Sequence, residues 1–260
     1  MPEKSYAHGE YTGLARDYSQ YRPGYSEAVL SCILSLLEKP ESGLDVVDVG
    51  AGTGIFTRLI AGRDVRNITA IEPNDDMRKH GIDNSEGMKI NWKEGSGEAT
   101  GMPDQCADLV SMASSFHWVD FENGTKEFHR ILKNNGCFVA LWNPRHLEAN
   151  PLLLEIEDHL SSIKTDIKRV SSGLSGLTEK LTDMLWESPY FEDVVYIEGR
   201  HDKIFTPEEY IGVWRSVNDL RVQLGQKGFD QFIDYVKDRI IGHDLITANY
   251  LTRAWIARKR

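Results

Sequence analysis

Three short stretches carry most of the chemical content of this chain. In the first, Val46-Val47-Asp48-Val49-Gly50-Ala51-Gly52-Thr53-Gly54, a β-branched run holding one acid empties into three glycines at alternate positions. Glycines so spaced let the backbone turn sharply and approach a ligand where a Cβ would collide. The following residues 55–60 read as a helix whose free N–H groups would face that ligand. The second stretch, Asn67-Ile68-Thr69-Ala70-Ile71-Glu72, ends in an acid 22 positions beyond Gly50. A carboxylate at the end of the second strand of a βαβ unit can accept hydrogen bonds from both hydroxyls of a ribose. The third, Ala113-Ser114-Ser115-Phe116-His117-Trp118, holds a histidine between aromatic rings. His117 suits the orientation or deprotonation of a substrate; its structural alternative is a histidine hydrogen-bonded within a strand–helix turn.

Stepping outward, the valine run, preceded by the turn-like Pro40-Glu41-Ser42-Gly43, has the character of a strand buried on both faces of a parallel sheet. Pro73 with Asn74 or Asp75 opens a helix, and residues 88–93 and 108–113 read as the third and fourth strands. Asp120 caps a helix with the stripe Phe121, Thr125, Phe128, Leu132, and Lys133-Asn134-Asn135-Gly136 leads from it into a fifth strand over 137–142. Residues 151–189 are helical, with the stripe Leu152, Ile156, Leu160, Ile163, Ile167 and a break at Ser171-Ser172-Gly173-Leu174-Ser175-Gly176. A sixth strand is expected over 191–200. Thr206-Pro207-Glu208-Glu209 is a capping box with proline at the first helical position. A further helix is expected around 229–241 and a closing strand over 245–258. In a doubly wound sheet the ligand lies beyond the carboxyl ends of the strands, which is where the His117 segment falls.

The dinucleotide fingerprint would place a third glycine three residues after the second, where this chain has Ile55. The spacing Gly50-x-Gly52-x-Gly54 behind an acid instead resembles the first motif of class I S-adenosylmethionine-dependent methyltransferases. Other features extend the resemblance, particularly toward a small-molecule branch of trans-aconitate methyltransferase-like proteins. Glu94-Gly95-Ser96-Gly97-Glu98-Ala99 is similar to that family's Gly-Asp-Ala-Glu adenine loop, with Ser96 in place of the usual Asp. Phe116-His117-Trp118 matches the family form, Tyr21-Arg22-Pro23-Gly24-Tyr25 is similar to a capping signature ahead of the glycine loop, and the turn at 133–136 resembles the family's K-P-G-G turn.

The resemblance implies a Rossmann-like α/β fold. Its seven-stranded sheet would be mostly parallel with an antiparallel last strand, with N-terminal cap helices over 1–40 and a cofactor-binding core over 41–150. Residues 151–260 would complete the same domain, with a helical lid at about 206–241. It implies S-adenosylmethionine as cofactor and S-adenosylhomocysteine as product, with cofactor contacts from Asp48, Gly50, Ala51, Gly52, Thr53, Gly54, Glu72, Pro73, Met77, Ser96, Gly97, Glu98, Ala113 and Ser114. An acceptor would meet Tyr18, Tyr21, Arg22, His117, Trp118, Trp142, Arg145 and Trp214, with His117 as the candidate catalytic group. The chemistry would be in-line transfer of a methyl group to O or N of a small molecule. A nicotinamide oxidoreductase on the same sheet, or an inactive cofactor-binding partner protein, are the alternatives.

Composition narrows the partners. A formal charge of −10 over 260 residues argues against a polyanionic substrate, since nucleic-acid binders need a basic face. Cys32, Cys106 and Cys137 lie far apart without metal-ligand spacing, so neither a disulfide framework nor a metal site is expected. With no cationic-then-apolar leader and no apolar run long enough to span a bilayer, the expectation is a cytoplasmic monomer or homodimer acting on a small molecule.

Overall fold

A computed structural model describes residues 15–167 and 176–260. Strands β1 (Asp45–Val49), β2 (Asn67–Ile71), β3 (Ile90–Lys93), β4 (Ala107–Ala113), β5 (Leu132–Trp142), β6 (Phe191–Phe205) and β7 (Ile246–Lys259) form a seven-stranded sheet in the order β3-β2-β1-β4-β5-β7-β6. The first five strands are parallel and β7 runs antiparallel to both β5 and β6. The strand order reverses between β1 and β4, and in an open α/β sheet a crevice forms at the carboxyl ends there.

The valine alternation of β1 decides what covers the sheet. Val47 and Val49 join Phe116, Phe128, Phe138 and Trp255 in a core on one face, under α5 (Phe121–Ile131) and α7 (Leu177–Glu187). Val46 joins Ile33, Phe56 and Ile60 on the other, under α2 (Glu27–Ser35) and α3 (Ile55–Ala61). A third apolar cluster lies off the sheet. Leu153, Ile156 and Leu160 of α6 (Pro151–Ile163), Val213 and Trp214 of α8 (Pro207–Arg215) and Phe229 and Phe232 of α9 (Asn218–Arg239) pack there against the overhanging ends of β6 and β7. α1 (Ala15–Tyr21) leans on α8, and α4 (Asp75–Asn84) follows β2.

Local signals set several boundaries. Asn74 and Asp120 cap α4 and α5 through their side chains, and Thr206 and Glu209 form the reciprocal capping box that opens α8. Elsewhere the structure departs from expectation. β6 continues beyond Arg200 to Phe205 because β7 pairs with it as far as Phe205↔Ile246. α9 begins at Asn218, earlier than expected, and breaks at Gly225 (φ 65°, ψ 173°) before continuing to Arg239. β5 begins at Leu132 and absorbs the turn at 133–136 as an irregularity in its pairing with β4, with Asn135 at φ 63°. Ile167 lies past the end of α6, and residues 171–175 of the serine-glycine tract fall outside the described residues. Among the described residues no helix is long and apolar enough to cross a membrane.

Candidate functional site

The loop after β1 is held by its backbone. Gly50 (φ 64°) and Gly52 (φ 58°) are left-handed, a conformation that strains any residue with a Cβ. A Cβ added to Gly50 would also lie 2.8 Å from Ser115. The loop is stitched to the end of β2: Ala51 donates its N–H to the Ile71 carbonyl at 3.0 Å, and Gly52 donates to Glu72 Oε2 at 2.7 Å. Glu72 Oε1 accepts from the Asn74 N–H at 2.9 Å. Burial raises the Glu72 carboxyl above its ordinary value, opposed by these two N–H donors and by Arg78. Each carboxylate oxygen keeps a further lone pair for a ligand.

Loop and acid line one cavity of about 310 Å³. Of the expected cofactor residues, Gly50, Ala51, Gly52, Glu72, Pro73, Met77, Ser96, Gly97, Glu98, Ala113 and Ser114 face it, with Trp118 beside Val119 at its rim. Three do not. Asp48 points to the α3 face of the sheet, fully buried, and accepts hydrogen bonds from the hydroxyls of Thr57 (2.6 Å) and Ser111 (2.7 Å). Burial pushes its carboxyl up to about 6, against the pull of those two hydroxyls. Thr53 is fully buried behind the loop, and Gly54 caps α3 against the Trp92 ring. The acid and the last glycine of the motif thus build the loop without facing the ligand space.

A second cavity of about 80 Å³ adjoins the first, and Tyr18, Tyr25, Ile55 and Ser114 line both. At this shared wall the Tyr25 and Ser114 hydroxyls are hydrogen-bonded at 2.9 Å. Ser114 is itself left-handed (φ 55°), uncommon for a residue with a Cβ and a form of strain that clusters at functional sites. Burial, and then neighbouring Tyr18, raise the Tyr25 phenol far above its ordinary value. Arg22 and Arg145 line the second cavity. Tyr21 does not: its ring packs against Gly212 of α8, where an added Cβ would lie 2.3 Å away. Trp142 and Trp214 are also corrected, because both are buried to 1% exposure or less. Trp142 lies beneath His117, and Trp214 lies under the Arg145 guanidinium, 3.9 Å from ring centre to Cζ.

The orientation of His117 bears on its chemistry. Trp142 Nε1–H donates to His117 Nδ1 at 3.2 Å, which makes Nδ1 the bare nitrogen and puts the proton of the neutral ring on Nε2. Nε2 is buried without a partner, and burial pushes the imidazole down to about 4 against the opposing charge of Asp219. His117 does not line the first cavity. In this geometry the Nδ1 lone pair is engaged and Nε2 carries the ring proton, so neither nitrogen is presented to the cavity as a base.

Sequence reasoning omitted Tyr25, Ile55, Glu157 and Tyr250 from the candidate residues. Tyr25 belongs to the Tyr-Arg-Pro-Gly-Tyr stretch and carried a signal. Glu157, on the polar side of α6, and Tyr250, in β7, carried none.

Residues 47–140 match the methyltransferase domain family. This stretch is similar to methyltransferase domains. It spans β1 to β5, and the glycine loop, Glu72 and the residue 96–98 loop all lie within it. An uncharacterized methyltransferase-like protein of Schizosaccharomyces pombe is 31% identical over 129 residues, covering 50% of this chain and 49% of the relative. The dimethylglycine N-methyltransferase of Parasynechococcus marenigrum is 35% identical over 120 residues, covering 44% and 42%. The chain thus spans about half the length of the curated relatives it matches. A provisionally named type II methyltransferase of Anaeromyxobacter dehalogenans shares the fold with a TM-score of 0.67 at 16% identity, over 92% of this chain and 98% of that one. So does the phosphoethanolamine N-methyltransferase 2 of Haemonchus contortus, solved with S-adenosylmethionine, with a TM-score of 0.54 at 14% identity over 96% and 57%.

Proposed function

We propose that the chain transfers a methyl group from S-adenosylmethionine to a small-molecule acceptor by in-line displacement. The observation that carries this reading is one cavity, lined by the glycine loop, Glu72 and residues 96–98, that shares a wall with a second. The residues present suit the cofactor. Its cradle lacks side chains at Gly50, where a Cβ would meet Ser115, and a volume of about 310 Å³ is in the range of cofactor sites. The loop backbone would hold the methionine end, Glu72 the ribose and residues 96–98 the adenine, with a serine where the family's acid usually stands. The dimethylglycine named for one relative supports a small acceptor.

When bound, the cofactor supplies an electrophilic sulfonium methyl. The chain's own task is positioning: an acceptor held at the wall formed by Tyr18, Tyr25 and Ser114 is aligned for attack, and alignment alone is worth up to about 7–11 kcal/mol of barrier. With its Nδ1 lone pair engaged by Trp142, His117 is not the base in this mechanism. Accordingly His117→Asn, whose carbonyl can still accept the Trp142 N–H, retains turnover within a few-fold. A loss of a hundredfold or more, in line with general-base catalysis, would restore the basic role. Residues 206–241, from which Val213 of α8 and Val217 line the second cavity, fit a lid on a single domain.

Thermal unfolding with S-adenosylmethionine, S-adenosylhomocysteine, NAD and NADP tests the cofactor. Selective stabilisation of about 2.7 kcal/mol is expected at a hundred times Kd of the adenosyl ligands. A response to NAD or NADP alone rejects the reading. A labelled-methyl transfer screen against a metabolite extract then tests the activity, and tight cofactor binding with no transfer identifies an inactive binding protein.

A further inference from the structure

The second cavity has its own chemistry. At about 80 Å³ it has room for a small polar head group. Its charged lining residues are Arg22, Arg145 and Glu157. Arg22 donates to neutral acceptors, the hydroxyl (2.9 Å) and carbonyl (3.4 Å) oxygens of Ser216. The Arg145 side chain is only 8% exposed, and its Nη1 reaches Glu157 Oε1 at 3.5 Å, long for an ion pair between groups so enclosed. Its Nε–H is buried with no acceptor.

A buried guanidinium with a long ion pair and an unfilled N–H is an incomplete arrangement, since each buried polar group without a partner costs stability. Two guanidinium groups against one carboxylate also leave the lining one positive charge in excess, in a chain whose formal charge is −10. Both facts call for a single negative charge from outside.

We propose that this cavity binds a carboxylate of the acceptor on the Nε side of the Arg145 guanidinium, leaving the atom to be methylated at the wall of Tyr25 and Ser114. The carboxylate site stands on the cavity itself; that its occupant is the methyl acceptor rests on the function proposed above. A single carboxylate group balances the lining charge, whereas a dianionic phosphate would concentrate two negative charges on one group beside Glu157.

The indole N–H resonance of Trp214, beneath Arg145, is a local reporter, assigned by its loss in Trp214→Phe. The full chain is titrated with succinate, its neutral diamide and inorganic phosphate, each with and without S-adenosylhomocysteine. Succinate should shift the resonance saturably at millimolar concentration and the diamide should not. Arg145→Gln should weaken succinate binding about tenfold to a hundredfold, the loss expected for a charge-assisted hydrogen bond, with S-adenosylhomocysteine affinity within twofold of the parent. The double variant Arg145→Gln/Glu157→Gln, which leaves no orphaned carboxylate, should show the same loss. No saturable response to succinate, an equal response to the diamide, a preference for phosphate, or undiminished binding in both variants would overturn the proposal. Retained succinate binding without any S-adenosylhomocysteine binding would support the carboxylate site while removing the methyl-transfer reading.

Discussion

The two cavities share a wall but are assembled differently. Apart from Tyr18 and Tyr25, the first takes its lining from segments that each follow a strand, around residues 50–56, 72–77, 96–98 and 112–119, so the parallel sheet delivers them to one edge through local connectivity. The second gathers Tyr18 and Arg22 from the N-terminal segment, Arg145 from beyond β5, Glu157 from α6, Val213 and Val217 around α8 and Tyr250 from β7. The helices that supply it stand on an apolar cluster separate from the two cores of the sheet. On the proposed reading this is a division of labour: loops at the strand ends would hold the cofactor, and the acceptor would meet helices packed on a cluster of their own.

The strongest way to break that division is Gly50→Ala. It places a Cβ in a left-handed residue and 2.8 Å from Ser115, and is expected to cost roughly 3–5 kcal/mol from backbone strain and overpacking together. Cofactor titration should show S-adenosylmethionine binding lost; retained affinity would mean the loop does not hold the ligand. Next, Asp48→Asn tests whether the motif's acid acts on the fold alone. A buried carboxyl raised from 3.8 to about 6 favours the folded state while protonated, and that contribution disappears as pH rises from about 4 through 6. Ionisation costs on the order of 3 kcal/mol. The variant should therefore gain stability over the parent at pH 7.5 and match it near pH 4 by denaturant titration; parallel pH profiles would contradict this.

Gly212→Ala strikes the other region. Its Cβ would meet the Tyr21 ring at 2.3 Å, forcing α1 and α8 apart at a cost of about 2 kcal/mol. Acceptor KM should rise while S-adenosylmethionine Kd stays within twofold, and equal damage to both would show that the regions are coupled. The smallest effect belongs to the shared wall. Tyr25→Phe removes one hydrogen bond to Ser114, worth about 1 kcal/mol, and should lower kcat/KM for the acceptor several-fold without changing cofactor affinity.

Much of the first cavity was legible because its signals are local. Gly50, Gly52 and Glu72 announce a turn, a close approach and an acceptor at a strand end, each within a few residues of chain. The caps at Asn74, Asp120 and Thr206 are local for the same reason. Asp48 shows the limit of such reading. Strand alternation says that it faces away from Val47 and Val49, but the Thr57 and Ser111 hydroxyls that satisfy it come from α3 and β4. His117 is a second case, since its useful nitrogen is decided by an indole 25 residues away.

By itself the sequence determined a parallel α/β sheet, a glycine turn at the end of its first strand and an acid at the end of its second, because backbone conformation and hydrophobic alternation are properties of neighbouring residues. Only the tertiary structure decided which of those residues face the ligand space, that Trp142 and Trp214 lie beneath the pocket, and that Arg145, Glu157 and Tyr250 share a second cavity. Such pairings come from packing between elements far apart in the chain, where one residue's surroundings are set by helices whose own sequence says only that they are amphipathic.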